Sequence, residues 1–162
     1  MKVGILSDTH GFLHPGLEAF FANVDEIWHA GDIGNMETLI ALEKMKPVRA
    51  VYGNIDGREV RSVCKERLLF RAEDASVSIM HIGGYPGRYD PKARELIRKN
   101  RPNLVVCGHS HILKVMYDKT HEMLFINPGA AGKFGFHQSY TAIRMEIVGK
   151  DFQNLEVWDL PR

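Results

Sequence analysis

The chain has 162 residues, of which 44% are hydrophobic and 25% charged, and its formal net charge is +1. These values are typical of an ordinary globular protein, and we predict one domain over residues 1–162. The balanced charge gives no strong field for nucleic acid or an acidic membrane. The apolar stretch near the N-terminus is too short for a signal peptide, and no stretch approaches the length of a membrane span.

The N-terminal half alternates between strand and helix patterns. Short apolar runs bounded by turn-forming residues predict buried strands, and apolar residues at helical spacing predict helices. The predicted order is a strand at 2–7, a helix at 15–24, a strand at 25–31, a helix at 35–45 with Asn35 as its N-cap, and a strand at 48–53. This β-α-β-α-β order indicates a parallel sheet covered by helices.

The C-terminal half is richer in strands. The segments 67–72 and 76–82 predict a hairpin, 90–100 a helix and 103–108 a buried strand, followed by four further strand-like segments. We therefore predict a mixed α/β protein with a parallel N-terminal half and a largely antiparallel C-terminal half. The segment VRAVYGNIDGREV (48–60) leaves two local alternatives: a hairpin turning at Gly53-Asn54, or a strand that ends by presenting Asn54 to a site.

Polar residues follow the predicted buried strands. They are Asp8 and His10, Asp32, Asn54, His81, and His109 and His111. Open α/β sheets bind ligands at the carboxyl ends of their strands, so we expect these side chains to lie together. Because alternate residues of a strand-like segment point the same way, Asp8 should converge with His10, and His109 with His111.

The chemical types in this set suit a pair of metal ions. Two carboxylates, four imidazoles and one amide supply seven oxygen or nitrogen donors without sulfur. One ion would leave donors unused, whereas two ions about 3.5–4 Å apart that share a carboxylate would use them. Mixed nitrogen and oxygen ligation suits Mn, Fe, Co, Ni or Zn better than Ca or Mg.

Each of these residues alone has an ordinary structural explanation, such as a turn aspartate, a helix N-cap or a core histidine. The combined pattern is harder to explain in that way. Gly31, Gly53 and Gly108 strengthen it, since a backbone that approaches a ligand closely has no room for a Cβ atom. The two cysteines, Cys64 and Cys107, form no C-x-x-C pair, so we expect free thiols and a reducing, cytoplasmic location.

The pattern resembles that of the calcineurin-like metallophosphoesterases, in particular a small bacterial and archaeal phosphodiesterase branch. The motifs that carry the resemblance are SDTHG, HAGDIGN, YGNIDG, MHIGG and CGHSHI, which lie between residues 7 and 112, with NPGA at 127–130 as a further element. The resemblance implies a four-layer α-β-β-α sandwich with mixed sheets. It also implies a first metal bound by Asp8, His10 and His111, a second bound by Asn54, His81 and His109, and Asp32 as the bridge between them.

The function implied is that of a metal-dependent phosphodiesterase. Two divalent transition-metal ions, manganese first and Ni, Fe, Zn or Co as alternatives, would hold a bridging hydroxide for in-line attack on phosphorus. Asp32, Asn54 and His81 are assigned to catalysis as well as to metal binding. The expected partner is a small phosphodiester or nucleotide-like substrate, with no membrane and no dedicated nucleic-acid surface. The sequence is also compatible with a homo-oligomer.

Ile55 departs from the family pattern. Many relatives resemble G-N-H at this point, and that histidine is expected to protonate the leaving group. Isoleucine cannot donate a proton, so we predict a preference for good leaving groups such as aryl or phosphoanhydride oxygens. Asp56 and His137 are the possible substitutes.

The loop at 82–91 is a candidate substrate contact. Arg88 would bind a phosphate oxygen, while Tyr85 and Tyr89 would frame the leaving group. The alternative is that the loop only connects a strand to the next helix.

Two other functions remain to be weighed against a phosphodiesterase. One is a non-catalytic scaffold, because a retromer subunit resembles this family yet lacks part of the donor set. The other is a phosphomonoesterase. The complete donor set favours an enzyme, and Ile55 weakens the case for a monoesterase, since poor leaving groups profit from a proton donor.

Overall fold

Two five-stranded mixed sheets form the centre of the structure, a computed structural model that describes residues 1–162. The strands are β1 (Lys2–Leu6), β2 (Glu26–His29), β3 (Val48–Ala50), β4 (Arg67–Ala72), β5 (Ala75–Met80), β6 (Gly84–Tyr85), β7 (Arg88–Tyr89), β8 (Leu104–Val106), β9 (Leu113–Asp118), β10 (Met123–Pro128), β11 (Ser139–Val148) and β12 (Asp151–Pro161). The helices are α1 (Gly16–Phe20), α2 (Met36–Met45), α3 (Arg58–Val63) and α4 (Pro91–Asn100). None of them is long and apolar enough to cross a membrane.

The first sheet has the order β12-β11-β1-β2-β3 and the second the order β4-β5-β8-β10-β9, while β6 and β7 form a separate ribbon. The parallel pairing of β1, β2 and β3 agrees with the prediction for the N-terminal half. The prediction of a largely antiparallel C-terminal half is wrong in one respect. Strand β8 pairs in parallel with both β5 and β10 at the centre of the second sheet. Helix α4 provides the crossover that the β5-to-β8 pairing needs.

The two sheets pack face to face and helices cover their outer faces. A core of 15 buried residues, including Ile5, Trp28 and Val106, fills the space between the sheets. Leu17 of α1 and Leu42 of α2 pack on the outside of the first sheet, and α4 packs on the outside of the second. The predicted four-layer α-β-β-α sandwich is confirmed.

Local elements differ from the prediction at two places. Helix α1 ends at Phe20 rather than at Val24, because the chain turns there. The side chain of Asp25, just after the turn, accepts a hydrogen bond from the backbone amide of Lys2 at 2.6 Å. The segment 58–63 is helix α3, so the hairpin alternative for residues 48–60 is wrong. The N-cap prediction is confirmed, since the amide of Thr38 donates to Asn35 Oδ1 at 2.9 Å.

The two cysteines are free, as predicted, and both are buried. Burial raises the pKa of the Cys64 thiol to about 11 and that of the Cys107 thiol to about 12. Both thiols are therefore protonated near neutral pH, which makes them weak nucleophiles.

Candidate metal centre

All seven polar residues at the strand ends come together where the carboxyl ends of the two sheets meet. Two groups of donors form there, each with its atoms within 4.8 Å of one another: Asp8, His10 and His111, and Asp32, His81 and His109. Asn54 joins the second group, with Oδ1 3.0 Å from His81 Nε2. Sequence reasoning therefore found every member of this cluster.

The convergence has a different cause from the strand alternation expected. Five members of the cluster have left-handed backbone conformations, namely Asp8, His10, Asp32, His109 and His111, with φ between 48° and 69°. Such angles are costly for residues with a side chain and persist only where the surrounding structure holds them. His109 and His111 accordingly enter different groups instead of pointing the same way.

Two hydrogen bonds between the sheets fix the cluster. The amide of His109, after β8, donates to Asp8 Oδ2, after β1, at 3.0 Å. Nδ1 of His81, after β5, lies 2.8 Å from the carbonyl oxygen of Ala30, after β2. Because a carbonyl only accepts, His81 Nδ1 carries the proton and donates it. This leaves Nε2 of a neutral His81 as a lone-pair donor facing the cluster, the arrangement typical of a metal-binding histidine.

Lone pairs crowd the space that His81 Nε2 faces. Asn54 Oδ1 and Asp32 Oδ1 lie 3.0 Å and 3.2 Å from it, and in the first group Asp8 Oδ1 lies 3.1 Å from His111 Nε2. Asp8 Oδ1 and His10 Nε2 are buried without any hydrogen-bond partner. Buried acceptors need a proton or a cation between them, so this donor set fits metal ions.

Electrostatics within the second group point the same way. Burial raises the pKa of Asp32, but its hydrogen bond and charge interaction with His81 outweigh burial and hold the pKa below its usual value. Burial lowers the pKa of His81, yet the interactions with Asp32 and Asp8 raise it above its usual value. The site therefore attracts a positive charge, which is a proton where no metal is bound.

Asp32 lies between the two groups. Its Oδ2 is 3.7 Å from His10 Nε2 of the first group, and its Oδ1 is 3.2 Å from His81 Nε2 of the second. The backbone amide of Ile55 donates to Oδ1 at 3.1 Å and so fixes the carboxylate. This position is the one that a bridging ligand requires.

Close approach of the loops explains two of the glycines. A Cβ atom at Gly53 would collide with the carboxylate and backbone of Asp32, and one at Gly108 would collide with the side chains of Ser7 and Asp8. Neither position has room for a side chain, because neighbouring loops of the protein pack there. Close approach of a ligand to these glycines stays a prediction.

Asp56 supports the site from outside, a role that sequence reasoning missed. Its buried carboxylate accepts three backbone hydrogen bonds, from Ile33 at 3.1 Å, Gly34 at 2.7 Å and Gly53 at 2.7 Å. It thereby ties the loop that carries Asp32 to the loop that carries Asn54. These three hydrogen bonds occupy the Asp56 carboxylate and do not favour it as the substitute proton donor.

His29 is a second support that the sequence did not reveal. Its Nδ1 accepts from the Gly31 amide at 3.1 Å, so Nε2 carries the proton and donates to Thr9 Oγ1 at 2.9 Å. Burial lowers the pKa of His29 to about 4, which keeps the ring neutral. The only sequence signal was a histidine inside a strand just before the Gly-Asp pair.

The NPGA segment holds the turn between His109 and His111. Asn127, which is buried, donates to the Gly108 carbonyl at 2.8 Å and to Ser110 Oγ at 3.0 Å. This contact gives a structural reason for the motif at residues 127–130.

The loop predicted to contact substrate forms the β6-β7 ribbon. No hydrogen bond, ion pair or ring contact joins Tyr85 or Arg88 to the seven residues of the cluster, and the Lys114 ammonium lies 5.1 Å from the centre of the Tyr85 ring. Tyr89 is buried, and its hydroxyl donates to Asp118 at 2.6 Å, so it packs in the core. The substrate roles of Arg88 and Tyr85 stay predictions.

Two clefts flank the cluster. One, of about 290 Å³, extends from Asn54 and His81 and is lined by the cationic side chains of Arg61, Arg67 and Lys92 together with Glu66 and Asp90. The other, of about 520 Å³, extends from His109 and His111 to Ile112, Phe136 and His137. The site thus has a charged side and an aromatic side.

Residues 132–137, named here the aromatic loop, border the second cleft. The Phe134 ring stacks on His10 at 5.7 Å between ring centroids, and the His137 ring meets His111 edge to face at 5.2 Å. Burial lowers the pKa of His137, and its Nε2 donates to the Gly132 carbonyl at 2.9 Å. A neutral ring held in this way does not favour His137 as the missing proton donor.

Comparison with known proteins identifies the family. Residues 1–150 match the calcineurin-like phosphoesterase superfamily domain. The chain belongs to this superfamily. Its membership agrees with the motifs, the fold and the two groups of candidate metal-binding residues.

The chain is similar in sequence to archaeal phosphoesterases and similar in fold to Vps29 proteins. A probable metallophosphoesterase of Methanothermobacter thermautotrophicus is 29% identical, over 80% of this chain and 77% of its own. A phosphodiesterase of Methanocaldococcus jannaschii is 26% identical, over 80% of this chain and 83% of its own. The crystal structure of a Vps29 mutant from Entamoeba histolytica has a TM-score of 0.76 at 18% identity, covering 99% of both chains, and so shares the fold.

We predict that Asp56→Asn destabilises this superfamily member. The substitution removes the charge of an acceptor that binds three backbone amides and turns an NH₂ group towards one of them, so the free energy of unfolding should fall by about 2 kcal/mol or more. Urea unfolding of the metal-free protein measures the change. Glu59→Gln, in the exposed first turn of α3, is the matched control, and equal midpoints for the two variants would contradict the assignment.

His29 should make stability depend on pH. The pKa of His29 is about 4 in the folded chain, against 6.5 for an ordinary histidine. Between pH 4 and pH 6.5 this side chain therefore binds a proton in the unfolded chain but not in the folded chain. The free energy of unfolding therefore falls as the pH drops from 6.5 to 4, by about 3 kcal/mol for this group. Urea unfolding in EDTA at several pH values, compared with His29→Gln, measures it. The variant should lose that part of the slope, and identical slopes would refute the prediction.

Proposed function

We propose that this protein is a metal-dependent phosphodiesterase with a dinuclear centre held by the seven clustered residues. The observation that carries the proposal is the pair of buried polar atoms without a hydrogen-bond partner, Asp8 Oδ1 and His10 Nε2, beside the oxygen atoms of Asn54 and Asp32 that crowd around His81 Nε2. Superfamily membership supports hydrolysis of phosphoric esters. The name of the Methanocaldococcus relative supports diesters as the substrate class.

The proposed roles follow from the positions of the side chains. Asp8, His10 and His111 would hold one ion, Asn54, His81 and His109 the other, and Asp32 both. When bound, the ions supply Lewis acidity and a nucleophile derived from water. Nitrogen and oxygen donors suit transition metals, and we propose manganese before Ni, Fe, Zn or Co.

The protein's own contribution is orientation. The Ile55 amide fixes Asp32, and the Ala30 carbonyl fixes the tautomer of His81, so these ligands require little rearrangement during the reaction. Asn54 contributes a neutral oxygen, which leaves more Lewis acidity at the second position than a carboxylate would. Asp32, Asn54 and His81 are therefore the proposed catalytic group.

Ile55 determines the proposed choice of ester. Its side chain is exposed next to Asn54, and it offers no proton to a leaving group. We therefore propose diesters with good leaving groups, such as aryl or phosphoanhydride oxygens, over monoesters. We further propose a small or nucleotide-like substrate, a single domain over residues 1–162 and a cytoplasmic location.

The alternative is a non-catalytic scaffold, and the structural likeness to Vps29 is the reason to consider it. At 18% identity that likeness concerns the fold alone. The complete set of donors in two groups favours an enzyme.

Metal add-back tests the proposal. Metal-free protein receives Mn, Ni, Zn, Fe or Mg, and hydrolysis of bis-aryl and mono-aryl phosphates is measured together with metal stoichiometry. We expect two ions per chain, hydrolysis with transition metals above that with Mg, and faster hydrolysis of the diester. Asp32→Asn should abolish hydrolysis, because Asp32 faces both groups. Absence of hydrolysis with every metal would favour the scaffold.

Ile55→His should supply the missing proton donor. Across aryl and alkyl diesters with graded leaving-group pKa, the wild-type rate should fall steeply as the leaving group becomes poorer. The variant should flatten that slope and raise rates for alkyl esters about 100-fold, the usual scale of general acid catalysis. Ile55→Gln is the polar control without a titratable group. A flat wild-type slope, or equal rates for the two variants, would refute the role of Ile55.

A further inference from the structure

The aromatic loop (residues 132–137) carries the two most exposed phenylalanines of the chain. Phe134 is 70% exposed and Phe136 is fully exposed. Single exposed apolar side chains are common on protein surfaces and have no meaning by themselves. Here the two lie on one short loop that contacts the candidate metal centre.

This loop has a fixed shape. The Arg162 guanidinium donates to the carbonyl groups of Lys133, Gly135 and His137. The Gly132 carbonyl is bound by His137, and the Gly132 amide donates to the carbonyl oxygen of Asp8 at 3.0 Å. With four of its carbonyls and its first amide engaged, the loop backbone is fixed at the points from which the two phenylalanine side chains extend.

The loop also lies directly against the first group of donors. Gly135, with φ of +117°, packs on the His111 ring, where a Cβ atom would collide with Nδ1. One face of the Phe134 ring covers His10, and the ring is otherwise exposed. Phe136 lines the 520 Å³ cleft that opens from His109 and His111. An anion at the cluster would therefore have aromatic surface on this side.

We propose that Phe134 and Phe136 form a binding subsite for an aromatic group attached to the phosphate, either an aryl group or a nucleobase. The subsite rests on the proposed function, since the cluster must bind the phosphate part. A planar aromatic group can stack on a phenyl ring without specific hydrogen bonds, which suits a cleft whose exposed surface is mostly apolar. Arg162 acts as a positioning residue that keeps the loop in shape.

Two matched pairs of anions test the subsite by calorimetric binding to metal-loaded protein. Phenylphosphonate and methylphosphonate differ by the phenyl ring, and thymidine 5′-monophosphate and deoxyribose 5-phosphate differ by the base. We expect the aromatic member of at least one pair to bind about tenfold more tightly. The pair with the larger ratio identifies the source of the aromatic group. Ratios near one for both pairs would overturn the proposal.

Variants separate stacking from general damage. The aromatic ratio is the affinity for the aromatic member of a pair divided by the affinity for its non-aromatic partner. Phe136→Ala and Phe134→Ala should each reduce this ratio severalfold and leave methylphosphonate affinity unchanged. Arg162→Gln should reduce the ratio in the same way. Tyr117→Ala, an aromatic residue of similar exposure on β9, is the control and should keep the wild-type ratio. Unchanged ratios in both phenylalanine variants, or equal losses for the two phosphonates, would overturn the proposal.

These measurements do not depend on turnover. If the metal-loaded protein hydrolyses no ester but binds phenylphosphonate more tightly than methylphosphonate, the proposed function fails and the subsite stands. If it hydrolyses diesters while the binding ratios stay near one, the subsite fails and the proposed function stands.

Discussion

The crowding of buried oxygen and nitrogen atoms at the strand ends is the constraint on which the rest of the structure depends. Asp8, Asp32 and their histidine neighbours lie within a few ångströms of one another, and Asp8 Oδ1 and His10 Nε2 have no hydrogen-bond partner. The two hydrogen bonds between the sheets, from His109 to Asp8 and from His81 to Ala30, impose those positions. The sandwich of sheets serves to anchor these bonds, since each joins a strand end of one sheet to a strand end of the other.

The cost of this arrangement is visible in the backbone. Five left-handed residues in the cluster each cost roughly 1 kcal/mol or more. The pairing of the strands before these residues and the hydrogen bonds of buried polar side chains around them offset this free-energy cost. Asp56 binds three amides of two ligand-bearing loops, and Asn127 binds the turn between His109 and His111. Such strain concentrates where geometry matters more than stability, which is the usual position of a functional site.

The sequence predicted which residues come together but not their geometry, and particular residues show why. The donors could be found because each follows a buried strand, and strand ends in an α/β fold meet at one edge. The left-handed angles could not, because non-glycine residues adopt them only when tertiary contacts require it. For the same reason the sequence did not reveal the role of Asp56, because two of its partners, Ile33 and Gly34, lie on another loop. The parallel centre of the second sheet was also not predicted, because it depends on how the connection through α4 crosses that sheet. Nothing in the local sequence of the aromatic loop indicated that Arg162 would bind it or that its His137 ring would contact His111.

The two sides of the site suggest how the chain compensates for Ile55. In the proposed reaction, without a proton donor beside Asn54, charge that develops on the leaving oxygen would be borne by the leaving group itself or by cations. Binding energy from parts of the substrate remote from phosphorus can then be used to orient the ester at the cluster. The cleft with Arg61, Arg67 and Lys92 offers charge, and the aromatic loop offers a stacking surface. An ester that is anionic on one side and aromatic on the other would use both, and selectivity in this protein would then reside in binding more than in proton transfer.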